Sequence, residues 1–138
     1  MRLKKLDNVT NCWLGLTLLF LMTSCDPIHD LKLENRTSEK AEVIFYPDFL
    51  EDEYLKDFIV SKVKVNGQTM NTLTLEPSKM IRIGTVVARD NPKPRDIELD
   101  YLELRFGKDT LRLAGKNAIF STIQKFDKHD WRLIIRSE

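Results

Sequence analysis

The stretch Lys62-Val63-Lys64-Val65-Asn66-Gly67 decides the fold. Valine and lysine alternate with period two, so one face of the segment is apolar and the other charged, the pattern of a half-buried strand. Asn66-Gly67 then stops it. Both residue types tolerate positive φ, which a two-residue type I′ turn requires at its two central positions. A second alternating run follows, with Leu73 and Leu75 set against Thr72, Thr74 and Glu76 and closed by Pro77. A lone hairpin is marginal in water and needs further strands against its apolar face.

The chain supplies those strands on both sides. Upstream, Leu31 and Leu33 alternate with Lys32 and Glu34 as far as Asn35, and Val43-Ile44-Phe45-Tyr46 is β-branched and aromatic before Pro47. Downstream, Ile81 and Ile83 follow the hairpin. Leu102, Leu104 and Phe106 share one face, with Glu103 and Arg105 on the other. Gly107-Lys108-Asp109 turns the chain into Leu111 and Leu113, and Trp131, Leu133 and Ile135 alternate near the end. About seven or eight short strands with frequent turn signals predict a mainly β fold, a small antiparallel β-sandwich of immunoglobulin-like or related type. One short helix is expected near 48–58. Asp48 can cap it, Glu51 stands three residues later, and Leu50, Tyr54, Leu55, Phe58 and Ile59 fall at helical spacing. Ala118 to Phe126 suits a helical turn through Ile119, Phe120 and Ile123, or a strand through Phe120, Thr122 and Gln124.

Composition narrows the function classes. The 138 residues carry 22 basic and 21 acidic side chains, a formal charge of +1, which removes the electrostatic case for nucleic acid. Two cysteines, Cys12 and Cys25, make neither a disulfide scaffold nor a zinc-ligand spacing. With 42% hydrophobic and 31% charged residues, the composition is that of a folded domain.

The first residues read as an address. Met1-Arg2-Leu3-Lys4-Lys5 is basic, and Trp13 to Met22 carries no charge. An apolar run of roughly ten residues is about half a membrane span and matches the core of a secretory signal. It ends in Met22-Thr23-Ser24-Cys25. This tetrapeptide resembles the lipobox of bacterial lipoprotein precursors, with Thr23 and Ser24 in the two small positions, Cys25 in the invariant one, and Met22 where leucine is usual. The resemblance covers the signal segment alone. It implies a diacylglycerol on the Cys25 thiol, cleavage between Ser24 and Cys25, and acylation of the new amine by a fatty acid such as palmitate. The expected organisation is a signal peptide at 1–24, a membrane tether at 25–30 and a single β-rich domain at 31–138. Three basic residues and one acidic residue lie in 1–24, so the charge of the remaining 114 residues becomes −1. The five residues Asp26 to Asp30, at up to about 3.6 Å each, would hold the domain within about 20 Å of the lipid.

Candidate chemistry is sparse. His29 falls in the expected tether. His129 lies in a polar turn beside Asp127 and Asp130, with no nucleophile motif to accompany it. Glu51, Asp52, Glu53 and Asp57 lack the glycine and alternating ligands of a calcium loop, so no metal or cofactor is expected. Arg89, Lys93 and Arg95, with Tyr101 or Tyr54, form the candidate contact for an anionic glycan or lipid headgroup. Asp90 and Asp96 offset two of those three charges. Asp109-Thr110-Leu111 resembles an O-glycosylation acceptor of Gram-negative envelope proteins and points to Thr110, whereas Asn35-Arg36-Thr37 matches the eukaryotic N-glycan sequon. The expectation is a lipid-anchored protein of the bacterial envelope, at the outer rather than the inner membrane, without catalytic activity. It would contact an envelope protein partner. The alternatives are a glycan- or small-ligand-binding module and a protective lipoprotein that binds an effector protein.

Overall fold

A computed structural model describes residues 27–47, 55–87 and 90–136. Among these residues nine strands form two sheets. The strands are β1 (Ile28–Asn35), β2 (Ala41–Tyr46), β3 (Ser61–Val65), β4 (Gln68–Leu75), β5 (Met80–Val87), β6 (Tyr101–Phe106), β7 (Asp109–Ala114), β8 (Gln124–Asp127) and β9 (Asp130–Ile135). One sheet runs in the order β5-β1-β9-β8 and the other β3-β4-β2-β6-β7. All pairs are antiparallel except β1 with β9, which run parallel from Leu31↔Trp131 to Asn35↔Ile135. The architecture is the predicted small β-sandwich.

Alternation sets which residues meet. Leu31 and Leu33 of β1, Leu133 and Ile135 of β9, and Ile81 and Ile83 of β5 line one inner face. Val43, Phe45, Leu73, Leu75, Leu102 and Leu104 line the other, and all of these are buried. The Asn66-Gly67 turn forms as expected, with φ of 51° and 83°. A second two-residue turn joins β6 to β7, where Phe106 faces Asp109 and Gly107 takes a φ of 56°.

Among the described residues the α-helix is α1 (Lys116–Ser121). Residues 48–54 lie outside the described ones, and from Leu55 the chain makes a single tight turn, with the Phe58 N–H donating to the Leu55 carbonyl at 3.0 Å. The ambiguous stretch divides between its two readings. Residues up to Ser121 are helical, and Gln124 begins β8. Gly115, at a φ of 86°, starts the helix, and burial of Ile119 fastens it to the core.

The first strand also begins earlier than the pattern predicts. β1 starts at Ile28, with His29 paired to Val86 and Asp30 to Thr85. Residues 28–30 of the expected tether therefore belong to the first strand, and His29 is part of the scaffold. The alternation signal missed these residues because only β5 pairs with them. β9 joins β1 from Leu31 onward.

The registers assign the loops to the two ends of the sandwich. At the N-terminal end lie Ile28, the Asn66-Gly67 turn, the loop that follows Val87 and the Lys128-His129 turn. At the distal end lie the β1–β2 and β4–β5 connections and the Gly107 turn.

Candidate functional site

Asn35 organises the distal end. Fully buried, it donates through Nδ2 to the carbonyls of Glu39 and Leu75, both at 2.8 Å. Its Oδ1 accepts from the Thr37 N–H at 3.0 Å and the Thr37 hydroxyl at 2.8 Å. All four side-chain hydrogen-bonding capacities are thus spent on loop backbone and Thr37, so the sequon residue is a structural staple inaccessible to a transferase in the folded state.

Beside that staple, where β3 and β4 approach β5, a groove of about 960 Å³ opens. Phe58, Ile59 and Met80 supply its apolar surface, and Ile59 is 90% exposed. Lys40, Asp57 and Glu76 stand on its charged rim, with Lys40 Nζ 2.8 Å from Glu76 Oε1. A volume at the upper end of the ligand-cleft range, together with an exposed isoleucine, offers room for a chain segment or a bulky ligand. Asp57 is the one member of the proposed acidic group within the described residues. Among those residues no three His, Cys, Asp or Glu side chains converge to hold a metal.

The outer face of the five-stranded sheet carries a buried carboxylate. Glu103 of β6 is 0% exposed. It accepts from the Tyr101 hydroxyl at 2.5 Å, Arg105 Nε at 2.7 Å and Arg112 Nε at 3.0 Å. Glu42 extends the network to Arg105 at 3.1 Å. Burial pushes the Glu103 carboxyl up, but the hydrogen bonds from Tyr101, Arg105 and Arg112 outweigh it and hold the group below the usual carboxylate range. Burial and the bond to Glu103 raise the Tyr101 hydroxyl. Three of the roughly four acceptor sites of the carboxylate are filled by neighbours on its own sheet, and its geometry is that of a sheet brace.

The predicted anion contact is distributed differently. Arg89 lies outside the described residues, and so does Tyr54. Lys93 and Arg95 meet around Asp96, whose Oδ2 accepts the Lys93 N–H at 2.7 Å and whose Oδ1 lies 3.9 Å from Arg95 Nε. Tyr101 is not brought to hydrogen-bond distance of either cation, since its hydroxyl serves Glu103. Thr110 is exposed on β7 opposite Arg105. Ser24 and Cys25 precede the described residues.

At the N-terminal end the structure adds a contact that the sequence did not signal. The imidazoles of His29 and His129 stack with centroids 4.8 Å apart and planes 5° from parallel. The stack joins the start of β1 to the β8–β9 turn across a gap that no β1–β9 pairing spans. On the outer face of the same sheet Glu34 takes Arg36 and Arg132, each at 2.9 Å, and Arg132 also pairs with Asp130. Burial opposes ionisation of Glu34, but these two arginines hold its carboxyl below the usual range. Both guanidiniums cover the Phe126 ring, at 4.6 and 4.3 Å from its centroid.

Among the described residues no helix is long and apolar enough to cross a membrane. No protein-family model matches the chain, and searches of curated proteins and of solved structures found no match either.

Proposed function

We propose that this chain is a lipid-anchored protein of the bacterial cell envelope that acts by contact rather than by catalysis, as an accessory or structural subunit beside a membrane complex. The observation that carries the reading is Met22-Thr23-Ser24-Cys25 closing an apolar run, with only Asp26 and Pro27 between Cys25 and the first strand residue, Ile28. A multiply acylated Cys25 holds a protein at a membrane without a spanning helix, since each buried CH₂ contributes about 0.8 kcal/mol and stable anchoring takes more than one chain. The groove beside the distal loops then faces away from the lipid, where an envelope partner can reach Ile59.

Cys25→Ala, followed by metabolic labelling with palmitate and membrane fractionation, tests the reading. The variant loses the label and is either released or retained as an unprocessed precursor. Normal processing with membrane retention refutes it. A second reading, a glycan- or small-ligand-binding module, draws support from the size of the same groove. A ligand that binds only the native state raises its unfolding temperature, and thermal-shift screening of the Cys25→Ala chain against glycans separates that reading from protein contact.

A further inference from the structure

The N-terminal end of the sandwich presents apolar side chains where a folded domain has little use for them. Ile28 is 68% exposed and Val87 45% exposed. They are direct cross-strand partners at the last register of β1 and β5, so their side chains stand together on one face. They form an apolar tip at that end.

Two further observations say what covers this tip. The covalent path from Cys25 to Ile28 is three residues, at most about 11 Å even when fully extended. The strand ends and loops around the tip carry both signs of charge, with exposed Lys93, Lys125 and Lys128 against Asp30, Asp90, Asp96 and Asp127. Two of these carboxylates turn toward backbone. Asp96 accepts the Lys93 N–H at 2.7 Å, and Asp127 accepts the Lys128 N–H at 2.6 Å. The three lysines are exposed, with the Lys125 ammonium over the Trp131 ring at 5.5 Å from its centroid. A rim of mixed charge around an apolar pair complements a headgroup layer, in which phosphates and amines surround the acyl boundary. Lysine stems also suit such an interface, with apolar methylenes and a charged head.

Resting on the lipid-anchored reading, we propose that this end of the sandwich is its bilayer-facing surface. Ile28 and Val87 enter the headgroup region of the membrane to which Cys25 is anchored, and the domain stands end-on with its distal groove outward. The tether is too short for free tumbling, and the stacked imidazoles hold the start of β1 to the β8–β9 turn, so the orientation of the tip is that of the whole domain.

The lipidated chain has no thiol besides acylated Cys25, because Cys12 lies in the segment expected to be removed. Single cysteines can therefore be placed by Lys128→Cys at the proposed contact and Lys108→Cys at the distal Gly107 turn, each labelled with a fluorophore. The labelled proteins are reconstituted in phosphatidylethanolamine–phosphatidylglycerol vesicles containing a lipid-borne quencher. Quenching is expected to be several-fold stronger at position 128 than at 108, and adding Val87→Asp should reduce the difference while the protein stays membrane-bound. Equal quenching at both positions in vesicle-bound protein overturns the orientation and leaves the anchor standing. Absence of palmitate label and of vesicle binding overturns the anchor instead. Both cysteine positions are exposed, so neither substitution threatens folding.

Discussion

Replacing Glu103 with alanine is the sharpest test of how the outer face of the five-stranded sheet is held. The carboxylate accepts three hydrogen bonds, from Tyr101, Arg105 and Arg112, and each bond to a charged group contributes about 1.5–3 kcal/mol. Simple addition overstates the loss. Removing one partner of a wholly buried ion pair costs about 3–5 kcal/mol because the other charge is stranded, but the side chains of Arg105 and Arg112 are 42% and 66% exposed and regain water. The expected loss for Glu103→Ala is therefore about 2–3 kcal/mol. Glu42→Ala removes an exposed partner of the same Arg105 and should cost under about 1 kcal/mol. Glu103→Met should cost less than the alanine variant. Its methylenes fill the space beside Ile44, the fully buried cross-strand neighbour of Glu103. Equilibrium urea unfolding reads these differences as midpoint shifts at constant slope. The reasoning fails if Glu103→Ala and Glu42→Ala shift the midpoint equally. The same titration has a pH arm. Folded Glu103 and Glu34 have carboxyls held below the ordinary range, so the folded state binds fewer protons than the unfolded one. Their stabilisation is complete above the unfolded glutamate value of about 4.3 and is lost as pH falls through the folded values. Glu103→Ala should flatten that acid limb.

Two further predictions concern the frame of the sandwich. A Cβ on Gly84 would lie 2.2 Å from the Asp96 carbonyl oxygen and 3.1 Å from Ile97 Cα. Gly84→Ala must therefore push the loop carrying Lys93 and Arg95 off β5, at a cost of about 1–3 kcal/mol; a urea midpoint unchanged from wild type would show that the loop is not seated there. Asn35→Ala removes the donor to the Leu75 carbonyl and leaves the Glu39 carbonyl with the Thr37 hydroxyl alone, a loss of about 1–3 kcal/mol for a group that stays dry. Asn35→Asp should be at least as damaging near neutral pH, because a carboxylate oxygen then faces those carbonyls. Equal stability of Asn35→Asp and wild type would refute the staple.

Most of the sandwich was legible because its signals are local. Lys62 to Gly67 carries its own period and its own turn, and the two positive φ values at Asn66 and Gly67 bear out that reading. The helix was harder to place. Leu50 to Ile59 has helical spacing over a region half of which lies outside the described residues, whereas Gly115 and Ile119 start and anchor a helix of only six residues that spacing could not separate from the strand behind it. The candidate contact at Lys93, Arg95 and Tyr101 was read from residue type along the chain. The fold gives the Tyr101 hydroxyl to Glu103, two residues along its own strand.

The sequence by itself determined the strand pattern, the turns and the lipobox resemblance, because each depends on neighbours within a few residues. Only the tertiary structure decided that β1 reaches back to Ile28, that His29 meets His129, that Glu103 is buried under two arginines, and that the exposed apolar pair and the distal groove lie apart. These depend on contacts between segments as far apart as residues 29 and 129, where periodicity carries no information about partner or register. The two levels meet where a local motif ending at Cys25 and a non-local strand pairing at Ile28 leave only Asp26 and Pro27 between them.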